Sequence, residues 1–394
     1  MKIVEEEFDP ENLIRNSYPL TRLSDNTEEI LFFDIETTGL SARMSSLYLI
    51  GCAYTKEEKW FVRQFFADEK ADEQEVIQAF FSFCISFSTL ISFNGNRFDI
   101  PYIKYKCDKY GIPFALERFT SVDIYKRVAP YKNILGIPDC KQKTVELFLG
   151  INRTDIYNGG QLIELYKKYL DNKDEELYKV LLLHNSDDVK GMIEILPVLF
   201  YHDLFQSILG TPGFQVRCDG PAPEDLHSLP IRAVKVRADH YEDINGADKQ
   251  ELYMKIAIPD KLPVKIGGTY DGAYMLLNGD EGTIRIPIYE GELKYFYSNY
   301  KEYYYLPDED QSIHKSVAEF VDRSYRMQAT AATCYTRKPG QFLKQWSDVF
   351  IPFFKTDYDS HEIYFELSDY IKRNRTVMTM YCTHILEHII KGNK

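Results

Sequence analysis

Two carboxylates two residues apart, Asp34 and Glu36, follow an apolar run in this chain of 394 residues. The run Leu-Phe-Phe at residues 31–33 is typical of a buried strand. Because residues i and i+2 of a strand point to the same face, the two acids should project together from the end of a sheet. Carboxylates held that close favour a cation between them, and hard oxygen ligands favour Mg²⁺ or Mn²⁺. The alternative is a strand that ends at solvent with two ordinary surface acids.

A further acid, Asp99, follows a second apolar run and a turn. Residues 90–93 predict a short buried strand, and the turn pair Asn94-Gly95 ends it. Asp99 then begins a predicted helix with Pro101 in its first turn. Since Asp is a preferred N-cap residue, a structural role is the alternative for Asp99. Capping and metal binding are compatible, so one role does not exclude the other.

The third segment that could carry chemistry holds His184 and Asp188 on a helix predicted over residues 175–196. The two residues are four apart, which places them on one helix face. A lone His beside an apolar stripe is more often a core residue than a catalyst. Its pairing with Asp188 one turn away favours a functional role.

Composition limits the classes of protein to consider. A net charge of −13 makes non-specific nucleic-acid binding unfavourable, so any such contact must be local, through metal ions and small basic patches. Seven scattered cysteines without a C-x-x-C pair argue against a disulfide framework and a zinc site, and they fit a reducing compartment. The N-terminus has no apolar signal region, and no apolar run was long enough to suggest a membrane span. We therefore expect a cytoplasmic protein that does not contact a membrane.

The elements that must position these residues alternate between strand and helix from residue 30 to residue 205. This alternation predicts an α/β domain in which helices flank a mixed sheet. The predicted strands cover residues 30–34, 47–54, 59–66 and 90–93, and the predicted helices cover 72–87, 99–110, 144–149, 161–170 and 175–196.

Two other regions frame this domain. Residues 1–29 are predicted to form an N-terminal arm or edge segment. Pro, Gly and Asp cluster over residues 210–230, which indicates a linker. Residues 206–394 are predicted to form a C-terminal α+β domain of unknown role, with helices over 316–330 and 376–390.

In chain order the three acidic segments contain D-x-E, N-G-x-x-F-D-x-P and H-x-x-x-D. This series resembles the DEDD superfamily of 3′–5′ exonucleases, which have a ribonuclease H-like fold, over residues 30–205. Asp34 and Glu36 match the first motif, Asp99 matches the second, and Asp188 matches the third. The same region is similar to a bacterial group of predicted ribonuclease H-like nucleases.

The third motif departs from the family pattern at His184. A four-residue step to the acid looks like the branch that usually has Tyr at this position, whereas the branch that uses His has a five-residue step. The four acids match the family motifs, whereas His184 matches neither branch completely. The resemblance therefore supports His184 as the general base less strongly than it supports the acids as metal ligands. An imidazole suits that role because it titrates near pH 6.5 in peptides.

The resemblance implies a metal-dependent 3′–5′ exonuclease that hydrolyses phosphodiester bonds of DNA or RNA by a two-metal mechanism. Two Mg²⁺ or Mn²⁺ ions would neutralise four carboxylates. We predict that Asp34 bridges both ions, that Glu36 contacts one ion and orients the water, and that Asp99 and Asp188 complete the shell.

Neighbouring residues receive secondary roles. Asn94 and Phe98 are expected to contact the terminal nucleotide of a single-stranded 3′ end, by hydrogen bonding and by stacking; core packing is the alternative for Phe98. Asp187 turns about 100° away from the His184 face and is interpreted as a solvated acid. Asp123, at the end of a strand over residues 121–124, is expected to be structural or to support the site indirectly.

Two other functions stay open. An endonuclease of ribonuclease H type would use the same set of carboxylates. A nucleic-acid-binding or regulatory module on an idle nuclease fold is the alternative from another class. Such modules usually lose an acid, and the presence of all four disfavours this alternative.

Overall fold

The computed structural model describes residues 1–9, 18–152, 157, 159–218, 220, 229–242, 246 and 248–393. The chain divides into two compact units, Met1–His202 and Asp203–Lys394.

Strands and helices alternate through the first unit, as the sequence predicts. Its strands are β1 (Lys2–Phe8), β2 (Ile30–Thr37), β3 (Leu47–Lys56), β4 (Lys59–Phe66), β5 (Thr89–Ser92) and β6 (Thr120–Asp123). Its helices are α1 (Glu73–Cys84), α2 (Asp99–Tyr110), α3 (Ile124–Val128), α4 (Lys132–Leu135), α5 (Gln142–Phe148), α6 (Gly159–Asn172) and α7 (Glu175–Glu194), and α8 (Leu199–Leu209) extends past its last residue.

The six strands form one mixed sheet in the order β1-β4-β3-β2-β5-β6. The pairs β1–β4, β4–β3 and β3–β2 are antiparallel, whereas β2–β5 and β5–β6 are parallel. This confirms the predicted α/β fold with a mixed sheet flanked by helices. The predicted N-terminal arm contributes β1, an edge strand whose Glu5, Glu6 and Glu7 are the kind of charged residue that protects sheet edges.

The apolar core of the first unit forms around the centre of this sheet. The first eight residues of β3 are all buried because the strand is paired on both sides and covered on both faces. The ring of Phe33 on β2 lies 5.8 Å from that of Phe80 on α1, and helix α7 packs across β2, β3 and β4. Burying each large apolar side chain contributes roughly 1.5–3 kcal/mol before entropy is counted. The sheet and α7 thus form a rigid support for side chains at the ends of β2 and β5.

The sequence predicted no apolar run long enough to span a membrane, but helices α7 and α8 together form one continuous stretch that meets this criterion. Within the described residues, one helical stretch, Glu175–Leu209, is long and apolar enough to cross a membrane by length and composition. In its most apolar window 56% of the residues are buried inside the structure, and core helices of soluble proteins pass the same test.

The second unit is rich in sheet. Its strands are β7 (Val216–Arg217), β8 (Arg232–Glu242), β9 (Asp248–Tyr270), β10 (Ala273–Phe296), β11 (Tyr303–Leu306), β12 (Gln311–His314), β13 (Met327–Gln328), β14 (Tyr335–Gln345), β15 (Phe350–Ile351), β16 (Phe353–Phe354) and β17 (Ile363–Glu366). Its helices are α9 (Lys315–Ala318), α10 (Asp369–Arg373) and α11 (Arg375–Gly392). Six strands form a sheet in the order β16-β17-β14-β10-β9-β8, and α11 packs against β8, β9 and β10.

One predicted helix of this unit is wrong and one is confirmed. Helix α11 covers the predicted helix at residues 376–390. The helix predicted over residues 316–330 ends after one turn, at Ala318. Phe320, within the predicted span, is 89% exposed, so no core holds a helix there. The side chain of Asp322 instead caps a separate short turn by accepting the N–H of Ser324.

Candidate metal centre

Asp34 and Glu36 lie on β2, on the same face of the sheet. Asp34 faces Gly51 and Glu36 faces Leu49 across the antiparallel pair with β3. The register shifts immediately after Glu36, where regular pairing of β2 ends. Both acids are half-buried. The expected projection of two carboxylates from the end of a strand is therefore present.

Asp99 is tied to the same strand by a hydrogen bond. Its Oδ1 accepts the backbone N–H of Ile35 at 3.2 Å, and the residue is only 4% exposed. Helix α2 begins at Asp99, with Phe98 at the N-cap position and no side-chain capping bond. Asp99 is therefore the first residue of the helix and not its N-cap, and its carboxylate accepts its own backbone N–H as well as that of Ile35 on β2.

Helix α7 contributes His184 and Asp188, which lie close to Glu36. Nε2 of His184 lies 3.2 Å from Oδ2 of Asp188 and 3.7 Å from Oε1 of Glu36. One ligand atom from each of these three residues lies within 4.8 Å of the other two, a spacing that a single metal ion can bridge. Among the described residues, this is the one group of three or more His, Cys, Asp or Glu side chains with such spacing.

The carboxylates on β2, α2 and α7 affect one another's pKa values. Burial raises the pKa of Asp34 well above its usual range, and the charges of three other carboxylates raise it further: Asp99, Glu36 and Asp188. A hydrogen bond from Asn185 acts in the opposite direction. Burial also raises the pKa of Asp99 to about 7. Asp34 and Asp99 lie outside the three-residue group of Glu36, His184 and Asp188, but carboxylate oxygens beside an imidazole form a donor set that fits hard divalent cations.

The structure places the other predicted residues near the start of α2. Asn94 has φ 63°, as the predicted turn requires, and its backbone N–H donates to Asp123 at 2.9 Å. Phe98 is half-buried, with its ring 5.7 Å from that of Tyr102. Their contacts with a nucleotide stay predictions.

The two acids that we predicted to lie outside the metal-binding set, Asp123 and Asp187, differ in their surroundings. Asp123 is buried and accepts the backbone N–H groups of Asn94, Asn96 and Lys126, which is the structural role we expected. Asp187 is half-buried rather than fully solvated.

Sequence reasoning missed Tyr48, which supports Glu36 from β3. Tyr48 is 1% exposed, its ring stacks on that of Tyr166 at 4.1 Å, and its side chain is hydrogen-bonded to the carboxylate of Glu36. Burial and the charge of Glu36 raise the pKa of the Tyr48 hydroxyl, so it stays a donor at neutral pH. A Tyr in a fully apolar strand is a signal, since a buried hydroxyl usually has a partner.

Sequence reasoning also missed a buried amide, Asn185, that contacts Asp34. Its Nδ2 donates to Oδ2 of Asp34 at 3.2 Å, and its Oδ1 accepts from Nε2 of Gln64 at 3.0 Å. A Cβ on Gly51 would lie 1.9 Å from Oδ1 of Asn185, so the amide occupies the space that a side chain would need. A glycine inside a strand signals a close approach, but the sequence does not say what approaches.

Comparisons with known proteins agree with this architecture. A family model described as the RNase_H superfamily matches residues 31–199. The uncharacterized protein YprB of Bacillus subtilis (strain 168) is 28% identical over 188 residues, which cover 45% of this chain and 44% of YprB. The chain thus spans less than half the length of this relative.

Two kinds of solved structure are also similar. A family B DNA polymerase from the archaeon Pyrobaculum calidifontis matches with a TM-score of 0.38 and 15% identity, over 73% of this chain and 39% of the polymerase. A product-bound exonuclease I matches with a TM-score of 0.31 and 11% identity, over 63% of this chain and 58% of that enzyme. The family match and the strand order together show that residues 31–199 have a ribonuclease H-like fold.

Proposed function

We propose that the first unit is a divalent-metal-dependent nuclease that hydrolyses phosphodiester bonds and removes nucleotides from a 3′ end. The observation that carries the proposal is the group of Glu36, His184 and Asp188, with Asp34 beside it on β2 and Asp99 hydrogen-bonded to the same strand. The DEDD-type order of these residues supports the exonuclease assignment, and the ribonuclease H-like fold supports a nuclease. DNA and RNA both fit this chemistry.

Asp34, Glu36, Asp99 and Asp188 would hold two Mg²⁺ or Mn²⁺ ions. Bound ions would supply an activated water and stabilise charge on the leaving oxygen. The charges of the three other acids all raise the pKa of Asp34, which supports its proposed role among the residues that would hold the ions. Tyr48 holds Glu36 by a hydrogen bond, which suits the proposed role of Glu36 in orienting the water.

His184 is the proposed general base. In the reaction, the water oxygen forms a bond to phosphorus, the bond from phosphorus to the 3′ oxygen breaks, and the leaving oxygen takes up a proton. The products are a chain with a 3′ hydroxyl and a nucleoside 5′-monophosphate. Nε2 of His184 lies 3.2 Å from Asp188 and 3.7 Å from Glu36, so both carboxylates would stabilise the positive charge of a protonated imidazole.

End-labelled substrates test this function. Purified protein would be incubated with 5′-labelled and 3′-labelled single-stranded DNA and RNA, in Mn²⁺, in Mg²⁺ and in EDTA. An exonuclease of this polarity shortens the 5′-labelled strand one nucleotide at a time and releases the 3′ label at once as a mononucleotide. Asp34→Asn, which keeps the side-chain shape, should abolish both products.

The other outcomes separate the alternatives. Internal fragments from the first time points indicate an endonuclease. A mobility shift without cleavage indicates a binding module. Absence of cleavage for every substrate in Mn²⁺ contradicts the proposal.

A further inference from the structure

Three directly paired positions cross the sheet in a row at the metal centre. Asp34 on β2 faces Gly51 on β3, and Gly51 faces Gln64 on β4. The middle position has no side chain, and the amide of Asn185 from α7 fills the gap. Asn185 is 0% exposed and Gln64 is 4% exposed, so water does not compete for their hydrogen bonds.

The direction of the hydrogen bonds in this row is determined by a backbone group. Nε2 of Gln64 lies 2.8 Å from the carbonyl oxygen of Leu182 and 3.0 Å from Oδ1 of Asn185. A carbonyl oxygen can only accept, so Gln64 must present its NH₂ group there. The second hydrogen of that group then requires an acceptor, and Asn185 must turn its oxygen toward Gln64. Consequently the NH₂ group of Asn185 faces Oδ2 of Asp34, at 3.2 Å.

We infer that the Leu182 carbonyl, Gln64 and Asn185 form a relay that presents an N–H donor to Oδ2 of Asp34, and so orients this carboxylate to bind a cation. The inference deepens the proposed function and rests on it, since it concerns the same metal centre. Gln64 and Asn185 are positioning residues in this account, because Asn185 acts through Asp34 and Gln64 acts through Asn185.

A purely structural role would have a different consequence. If the two amides only filled space, replacing Gln64 with an apolar side chain of similar size would leave metal affinity unchanged. If the relay holds the Asn185 amide in place, the same change leaves Oδ1 of Asn185 without its donor. The amide is then no longer fixed, and its hydrogen bond to Asp34 weakens.

The experiment measures Mn²⁺ binding to the full chain by isothermal titration and by electron paramagnetic resonance of free Mn²⁺. The main variant is Gln64→Met, which keeps the volume and removes both donors. Support for metal ligands is typically worth 10–100-fold in affinity, so we expect Gln64→Met and Asn185→Ala each to weaken Mn²⁺ binding about 10–100-fold. The double variant should bind as weakly as Asn185→Ala alone, because the first change acts through the second residue.

Gln345→Met is the matched control. Gln345 is 1% exposed and makes two 2.8 Å hydrogen bonds with the backbone of Phe350. Like Gln64, it is a buried amide with two hydrogen bonds, so the two substitutions remove comparable groups. This control should lower the melting temperature and leave Mn²⁺ affinity within twofold of the wild type. Asn185→Leu is a second variant of similar size; it removes the donor without adding a charge and should weaken binding about as much as Asn185→Ala.

The results separate this inference from the proposed function. A wild-type chain that binds no Mn²⁺ contradicts the proposed function and the relay together. A wild-type chain that binds Mn²⁺, with Gln64→Met binding equally well, overturns the relay alone. Additive losses in the double variant also overturn it.

Discussion

The backbone N–H of Ile35 donates to Oδ1 of Asp99 at 3.2 Å, across 64 positions of the sequence. This bond joins the start of α2 to the strand that carries Asp34 and Glu36. The carboxylates therefore come together only when β5 has paired with β2 and α2 has formed. A site assembled in this way couples metal affinity to folding.

The first prediction concerns Asp99 and pH. Burial raises its pKa from 3.8 to about 7, so the metal-free folded protein holds a proton that the unfolded chain releases at lower pH. The resulting stabilisation is fully present below pH 3.8 and is lost as the pH rises through 7. Urea unfolding in EDTA should show that Asp99→Asn loses less stability than the wild type between pH 5 and pH 8.

The size of this effect follows from the shift, at about 1.4 kcal/mol for each pKa unit that separates the folded and unfolded states. Saturating Mn²⁺ should remove much of the difference by stabilising the ionised form. Equal pH slopes for the wild type and Asp99→Asn in EDTA would contradict the assignment of the raised pKa to Asp99.

His184→Gln tests the general base. Positioned general bases contribute typically 10²–10⁴-fold, so kcat should fall by that order while Mn²⁺ affinity falls much less. His240→Gln is the control, because His240 also pairs with an acid, Asp248 at 3.3 Å, but on an exposed surface. It should cleave like the wild type. Full activity of His184→Gln would exclude the base role, and a large loss of Mn²⁺ affinity would instead make His184 a ligand.

Gly51→Ala should destabilise the protein and disturb the candidate metal centre. The added Cβ would lie 1.9 Å from Oδ1 of Asn185, inside a packed region, where overpacking typically costs 1–3 kcal/mol. Gly159→Ala is the control, since a Cβ there meets nothing within 4 Å. Urea unfolding should place the control within about 0.5 kcal/mol of the wild type. A neutral Gly51→Ala would mean that Asn185 does not occupy this space.

A buried ion pair, Lys106 and Glu73, supports the segment after Glu36. Nζ of Lys106 lies 2.8 Å from Oε1 of Glu73, the two side chains are 1% and 2% exposed, and Lys106 also donates to the carbonyl of Ser45. Lys106→Met leaves the buried carboxylate without its nearest cation and should cost about 3–5 kcal/mol.

Lys104→Met is the matched change two residues away. Lys104 pairs with Glu117 at 3.4 Å on an exposed surface, and such pairs are worth about 0–1 kcal/mol. Similar losses of unfolding free energy for the two variants would contradict the importance of the buried pair.

The acids of the site were predictable because local patterns carry them. Alternation along β2 places Asp34 and Glu36 on one face, and the four-residue step on α7 does the same for His184 and Asp188. The Asn94-Gly95 turn marks where Asp99 follows β5. The order of the three acidic segments resembles that of a known superfamily, and this resemblance predicted the ribonuclease H-like fold of the first unit.

The supporting residues were not predictable because they depend on pairing between strands. Only the register of β2, β3 and β4 shows that Gly51 leaves room for Asn185, or that Gln64 faces this gap. The predicted helix at residues 316–330 failed for a related reason. A helix over these residues would need a core to pack against, and Phe320 is 89% exposed.

The most direct test of the central claim is a crystal of the wild-type chain soaked in Mn²⁺, with anomalous difference maps collected at a wavelength sensitive to manganese. We predict anomalous peaks within bonding distance of carboxylate oxygens of Asp34 and Asp188, and loss of these peaks in Asp34→Asn. A fully occupied Mn²⁺ elsewhere, with no peak among these carboxylates, would contradict the account.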